Sequence, residues 1–321
     1  MRSEALERWL DLAGRRPASA GAFPLFVRSP LSALAPVALV GAVAAAVSVL
    51  RGPLSSVMPV VDGARPAPLV LAGACALVVP LAHTLAWYAV LARRTGTLRY
   101  ADACACYGMG SLANAVLPAK LGEPIRIELF ARRLPGPRAR MRACAASGAV
   151  GLGQVLALVG LLAAGALTGA LPRWAALPAL GLPLAFVCGR RLAARLRPDG
   201  RTARAAAASG LSGVAWTAML GCIAAAAVCR VAAVAAVLEA LSVPHPVTGA
   251  VVALAGAALG NALPLAPGGL GVPAAAMAIA LGRSGVGTGT AVAAAMTFHL
   301  LETSASLVFG AAGCLLGRRA P

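Results

Sequence analysis

The sequence predicts an all-α polytopic membrane protein, with about six full transmembrane helices plus two broken, re-entrant segments (or eight helices), forming an inverted repeat. Three observations lead there. Hydrophobic residues make up 60% of the 321-residue chain and charged residues only 12%, against about 25% charged in a soluble domain. The apolar residues run in long blocks, and a helix crossing ~30 Å of hydrocarbon needs ~20 of them. Two further blocks are broken by proline and glycine in the same pattern. Backbone N–H and C=O groups find no partner in lipid, so spanning segments are helices or closed barrels. The blocks do not alternate polar and apolar residues, which argues for helices.

Each element follows in order. Residues 1–30 read as a basic cytoplasmic or interfacial lead, with Leu6, Trp9, Leu10 and Ala13 able to share one face. Block 31–50 is longer than a signal-peptide core and is followed by no small-residue cleavage site, so it is expected to stay as a helix. Block 68–92 ends at Arg93, Arg94 and Arg99. Segment 101–118 is weakly apolar and broken by Gly108, Gly110, Asn114 and Pro118. Blocks 143–171, 174–188 and 205–229 follow, then 231–241, which is interfacial or a bent continuation of the block before it, with Arg230 and Glu239 as expected interfacial anchors. Segment 247–267 repeats the broken pattern with Gly256, Gly260, Asn261, Pro264 and Pro267, and 286–316 is the last block. The whole reads as one membrane domain over 31–317, with repeat halves 31–171 and 174–316.

Charge tests this map. With the N-terminus inside and both broken segments returning to the side they enter, 23 of the 28 basic residues fall inside and 5 outside, as the positive-inside rule requires. Both termini are then cytoplasmic. Eight full spans would swap the sides of the middle basic loops. The net charge of +18, carried by 27 arginines and the single lysine Lys120, serves topology; no soluble domain is left over to present a nucleic-acid face. The eight cysteines include no CxxC pair of zinc spacing, so they read as small hydrophobes, and neither a metal nor a disulfide is expected.

The broken segments match each other. One reads Pro118-Ala-Lys-Leu-Gly-Glu-Pro124 and the other Pro267-Gly-Gly-Leu-Gly-Val-Pro273, so both are P-x-x-L-G-x-P, preceded by Asn114-Ala115 and Asn261-Ala262. Interrupted hydrophobic segments at matching places in two halves point to a transporter's midplane site. Proline and glycine free backbone groups that lipid cannot satisfy, so such segments line polar cavities or lie buried in protein, and helix N-termini there favour anions.

At these residues the chain resembles a known family. Asn114-Ala-Val-Leu-Pro-Ala-Lys120-Leu-Gly-Glu123-Pro-Ile-Arg126 is similar to the first signature of the lysylphosphatidylglycerol-synthase transmembrane-region family, described as flippase-like, and Pro267-Gly-Gly-Leu-Gly-Val272 to its second. The resemblance covers about 31–316. It implies a standalone bacterial inner-membrane protein related to the domain that moves aminoacylated phosphatidylglycerol between leaflets, without the soluble aminoacyl-transferase half. It also implies a glutamate where this chain has Ala274 and an arginine where it has His299; the joint change avoids stranding one buried charge.

The candidate substrate-binding residues are Asn114, Pro118, Lys120, Gly122, Glu123, Arg126, Asn261, Pro267, Gly268, Gly269, Gly271, His299 and Glu302. Lys120, Glu123 and Arg126 share one helical face, on which Lys and Arg would take a phosphate and Glu an amine or hydroxyl; ordinary topological charge is the plainer alternative. Arg132, Arg133, Arg138, Arg140 and Arg142 read as topology and anionic-lipid contact. His299 and Glu302 lie one turn apart at bilayer depth, where an ionisable group is costly unless paired or hydrated. No G-x-x-x-x-G-K-[ST] loop occurs, so no nucleotide or other cofactor is expected. The function this suggests is translocation of a phospholipid or other anionic or zwitterionic lipid headgroup, with no catalytic residues. A membrane-embedded transferase using Glu123, Glu302 or Asp102, or an accessory protein of envelope-synthesis enzymes, are the alternatives.

Overall fold

A computed structural model describes residues 62–95, 98–116, 122–177, 213–262 and 271–318. The first apolar block, the 178–212 stretch and the tips of both broken segments lie outside these. The described helices belong to one compact unit, Leu54–Pro321. Among the described residues there are eight α-helices and no strand: α1 Pro66–Thr95, α2 Tyr100–Val116, α3 Gly122–Arg133, α4 Ala139–Leu167, α5 Gly213–Ala240, α6 Pro246–Ala262, α7 Val272–Arg283 and α8 Thr288–Arg318. A 3-10 turn, Arg173–Ala176, follows α4.

Four of these helices, α1, α4, α5 and α8, are long and apolar enough to cross a bilayer. Their surfaces carry exposed large apolar side chains, among them Val70, Leu71, Leu167, Val228 and Val308, which suits contact with lipid. Pro80 lies inside α1 and removes one helical N–H donor. Thr84, fully buried, donates its hydroxyl to the Pro80 carbonyl at 2.8 Å.

Of the two expectations for the 231–241 stretch, the continuation holds: one unbroken helix, α5, runs through Arg230 to Ala240. Nothing in that stretch breaks a helix. Alanine and valine continue past Arg230, and the turn comes only at Leu241–Ser242, where Ser242 takes a positive φ. Arg230 therefore lies inside an apolar helix rather than at its interface.

Each broken segment is a pair of short antiparallel helices, α2/α3 and α6/α7. The lengths run 30, 17, 12 and 29 residues for α1–α4 and 28, 17, 12 and 31 for α5–α8. The principal packing pairs correspond in the same way: α1–α2 with α5–α6, α2–α3 with α6–α7, α3–α4 with α7–α8, and α2–α8 with α4–α6. The two lead helices, α1 and α5, pack on each other antiparallel. The Arg65 N–H, just before α1, donates to the Ala240 carbonyl at the end of α5 at 3.0 Å, and the Arg65 guanidinium reaches the Ser242 hydroxyl at 3.3 Å.

The core has two clusters. In one, Trp87 stacks on Phe130 at 4.7 Å between ring centres, with Val90, Leu91, Val150, Met219 and Ile223 around them. In the other, Val234, Val237, Leu238, Met277, Leu281 and Phe298 join α5, α7 and α8. Helix α8 also meets α2 backbone to backbone: a Cβ added at Gly108 would lie 2.8 Å from the Phe309 carbonyl oxygen.

Candidate functional site

The α2/α3 pair closes on glycine. A Cβ at Gly122, the first residue of α3, would overlap the Gly110 carbonyl and the Asn114 amide. The approach is therefore open only to a residue without a side chain. It brings Asn114 and the first turn of α3 together, and the next turn carries Arg126 into the protein.

Arg126 is buried at 7% exposure. A guanidinium out of water must be paired and hydrogen-bonded or it is strongly destabilising, and α2 and α3 contribute its partners. Its Nη1 donates to Glu123 Oε2 at 2.5 Å and its Nη2 to the Ser111 hydroxyl at 3.3 Å. Its Cζ lies 4.2 Å over the Tyr107 ring, a cation–π geometry. The other Glu123 oxygen accepts from Ser147 of α4 at 2.8 Å. Two buried atoms are left over: among the described residues, Arg126 Nε and Asn114 Oδ1 have no hydrogen-bond partner. A buried polar atom without a partner calls for an explanation, and here a donor and an acceptor stand beside a partly exposed carboxylate.

A second polar group lies on α5 and α8. Arg230 Nε donates to Glu302 Oε1 at 2.8 Å, and Arg230 Nη2 is ion-paired with the same oxygen at 2.5 Å. The other Glu302 oxygen is 4.0 Å from His299 Nδ1, beyond hydrogen-bond length. His299 Nε2 is buried without a partner, and the His299 ring lies beside the Pro273 main chain at the start of α7.

His83 of α1 lies near both groups. Its ring stacks on Tyr107 at 6.2 Å, and both Arg126 and Arg230 act electrostatically on both rings. Away from this centre, Arg133 pairs with Asp102 at 2.6 Å, while Glu128 accepts from Arg132 at 3.1 Å and from Arg140 at 2.8 Å. Partial burial pushes the Glu128 carboxyl up, but the Arg140 and Arg132 bonds outweigh it and hold it below the usual carboxylate range.

The sequence-derived residues divide accordingly. Asn114, Gly122, Glu123 and Arg126 come together in the first group. His299 and Glu302 come together in the second, around Arg230. Asn261 and Gly271 are exposed on either side of 263–270. Pro118, Lys120, Pro267, Gly268 and Gly269 lie outside the described residues. Sequence reasoning missed Arg230, placing it at an interface, and gave no role to His83, Tyr107, Ser111 or Ser147. The signal for Arg230 was present: an arginine inside an uninterrupted apolar run is a functional-site candidate at bilayer depth.

Comparison with known proteins agrees with this architecture. None of the curated proteins compared with the chain matches it. The model of the lysylphosphatidylglycerol synthase TM region matches residues 33–310, most of the chain and all of both polar groups. The chain is thus an integral membrane protein of the lysylphosphatidylglycerol synthase TM region family.

Proposed function

We propose that this protein translocates a lipid or lipid-linked headgroup across a bacterial inner membrane, with both termini cytoplasmic and without an ATPase or a covalent step of its own. The observation that carries the reading is Arg126: a buried guanidinium with an unpartnered Nε, beside an unpartnered Asn114 oxygen and a half-exposed Glu123. A phosphate fits the arginine, since charge-assisted hydrogen bonds to guanidinium are the strong ones. An amine or hydroxyl of the same head fits Glu123 and Asn114.

The two helix sets support an inverted repeat in this reading. They match in order and length, their packing pairs correspond, and their lead helices run in opposite directions. A site between two such halves can be opened to either face by moving one half against the other. The 23-to-5 division of basic residues supports the orientation, although Arg230, now inside a helix, no longer counts for either side.

The test is exchange of a labelled phospholipid between leaflets of vesicles containing the purified chain. Exchange above protein-free vesicles, strongly reduced by Arg126→Ala at matched protein levels, is expected. Exchange indifferent to Arg126→Ala would end the headgroup-clamp reading, and product formation without exchange would favour an enzyme.

A further inference from the structure

The Arg230–Glu302 pair lies deep in the helices that carry it, and the headgroup reading does not use it. Arg230 is about 15 Å from the Ala240 end of α5 and Glu302 about 21 Å from the start of α8, at 1.5 Å per residue. A pair whose only task is to join two helices is best made fork to fork, with two nitrogens on two oxygens. This one is lopsided: the hydrogen bond from Nε and the ion-pair contact of Nη2 both end on Oε1, and Oε2 faces His299 Nδ1 across 4.0 Å. The Arg230 side chain is 40% exposed, against 9% for Arg126. Arg126 is likewise held by one carboxylate oxygen, Glu123 Oε2, so what sets Arg230 apart is its greater exposure. Both arginines lie near enough to the stacked His83–Tyr107 rings to act on them electrostatically.

We propose that Arg230 is a second phosphate-binding arginine, that Glu302 occupies its place between transport events, and that a phosphate arriving from Arg126 displaces Glu302 toward His299. The proposal rests on the headgroup reading and narrows its substrate class to lipids that carry a phosphate or another compact anion. The geometry supplies each part of the exchange. The phosphate replaces Oε1 on the guanidinium edge. The freed carboxylate already has an imidazole nitrogen within a short side-chain rotation. No covalent bond is made or broken, and the charge on Arg230 stays neutralised before and after. A lipid without an anionic head has nothing to offer Arg230 against Glu302 and remains excluded.

The experiment measures calorimetric binding of dihexanoylphosphatidylglycerol, with dihexanoylglycerol as the phosphate-free control, to the purified full chain in detergent. Wild type should bind only the first. Glu302→Gln, which removes the competitor, should tighten binding ~10-fold, and Arg230→Gln should weaken it at least ~10-fold. If Glu302→Gln does not fold, the double variant Arg230→Gln/Glu302→Gln decides, because removing both charges strands neither: weak binding supports the proposal and wild-type binding overturns it. Equal binding of the control lipid by wild type, or an unchanged affinity in Arg230→Gln, also overturns it. Arg126→Gln separates the two ideas. Binding lost in Arg126→Gln but kept in Arg230→Gln leaves the clamp standing and removes Arg230. Binding lost in Arg230→Gln but kept in Arg126→Gln does the reverse.

Discussion

Hairpins α2/α3 and α6/α7 have the same two lengths and the same P-x-x-L-G-x-P motif, but their chemistry differs. The first carries Asp102, Glu123, Arg126, Glu128, Arg132 and Arg133, and Arg126 is folded inward. The second has Arg283 as its only charged residue among those described, and is otherwise built mainly of alanine, valine, leucine and glycine. Its end of the molecule takes its charges from the long helices instead, as Arg230 and Glu302. Their glycines differ too. Gly122 is pressed against Gly110 and Asn114, whereas an added Cβ at the motif-equivalent Gly271 meets nothing within 4 Å among the described residues; in the second hairpin Gly260 makes the close approach, 2.7 Å from Pro273 Cα for an added Cβ. One backbone plan thus serves two tasks. The first hairpin carries a buried, ion-paired arginine of its own. The second presents an apolar wall beside an ion pair that the long helices supply.

This contrast can be broken at four points, taken in order of expected effect. The largest is all or none. In a cysteine-free background, Pro137→Cys and Ser284→Cys should react with an impermeant thiol reagent from opposite sides of the membrane, because the two hairpins are proposed to open oppositely; labelling from one side would break the inverted repeat. Next, Gly122→Ala should prevent correct assembly, lowering the yield of folded protein by roughly 10-fold or more, since a Cβ there meets backbone. Gly271→Ala should leave the yield unchanged, as measured by gel filtration in detergent.

Third, Arg126→Ala should slow lipid exchange roughly 10- to 100-fold, from charge-assisted bonds worth about 1.5–3 kcal/mol. Arg138→Ala removes an exposed arginine with diffuse attraction to the leaflet of ~1 kcal/mol, and the loss should stay within about fivefold. Equal losses would mean that the basic residues act as a smear of charge. The smallest effect belongs to Ser147→Ala, which removes one bond to Glu123, about 1 kcal/mol. Exchange should fall about fivefold while the helical circular dichroism signal stays the same; no change would show that the Glu123 position does not depend on α4.

Much of this was legible in the sequence, for physical reasons. Proline and glycine are so costly inside a lipid-facing helix that their clustering at 101–118 and 247–267 marked both hairpins. Glu123 and Arg126, one turn apart beyond a break, marked the clamp. What stayed hidden depends on contacts between distant segments. Arg230 was read as the end of a helix because a charge usually is one, and only the partner 72 residues away, Glu302, makes it tolerable inside. Ser147 is an ordinary small residue of a membrane helix until α4 is packed on α3. His83 and Tyr107 acquire meaning only when α1 and α2 lie side by side.

The shortness of the hairpin helices has a consequence for the lipid around them. A 17-residue and a 12-residue helix are about 26 Å and 18 Å long, both less than the ~30 Å of a hydrocarbon core. Leu259 and Ile279, on α6 and α7, are strongly exposed, as suits contact with acyl chains. Chains bordering this hairpin meet an apolar surface shorter than they are, and a bilayer answers such a mismatch by thinning, at a cost of fractions of a kcal/mol per Å. A headgroup crossing beside the hairpin would then have less hydrocarbon to traverse, so the proportions of the fold reshape the solvent as well as the site.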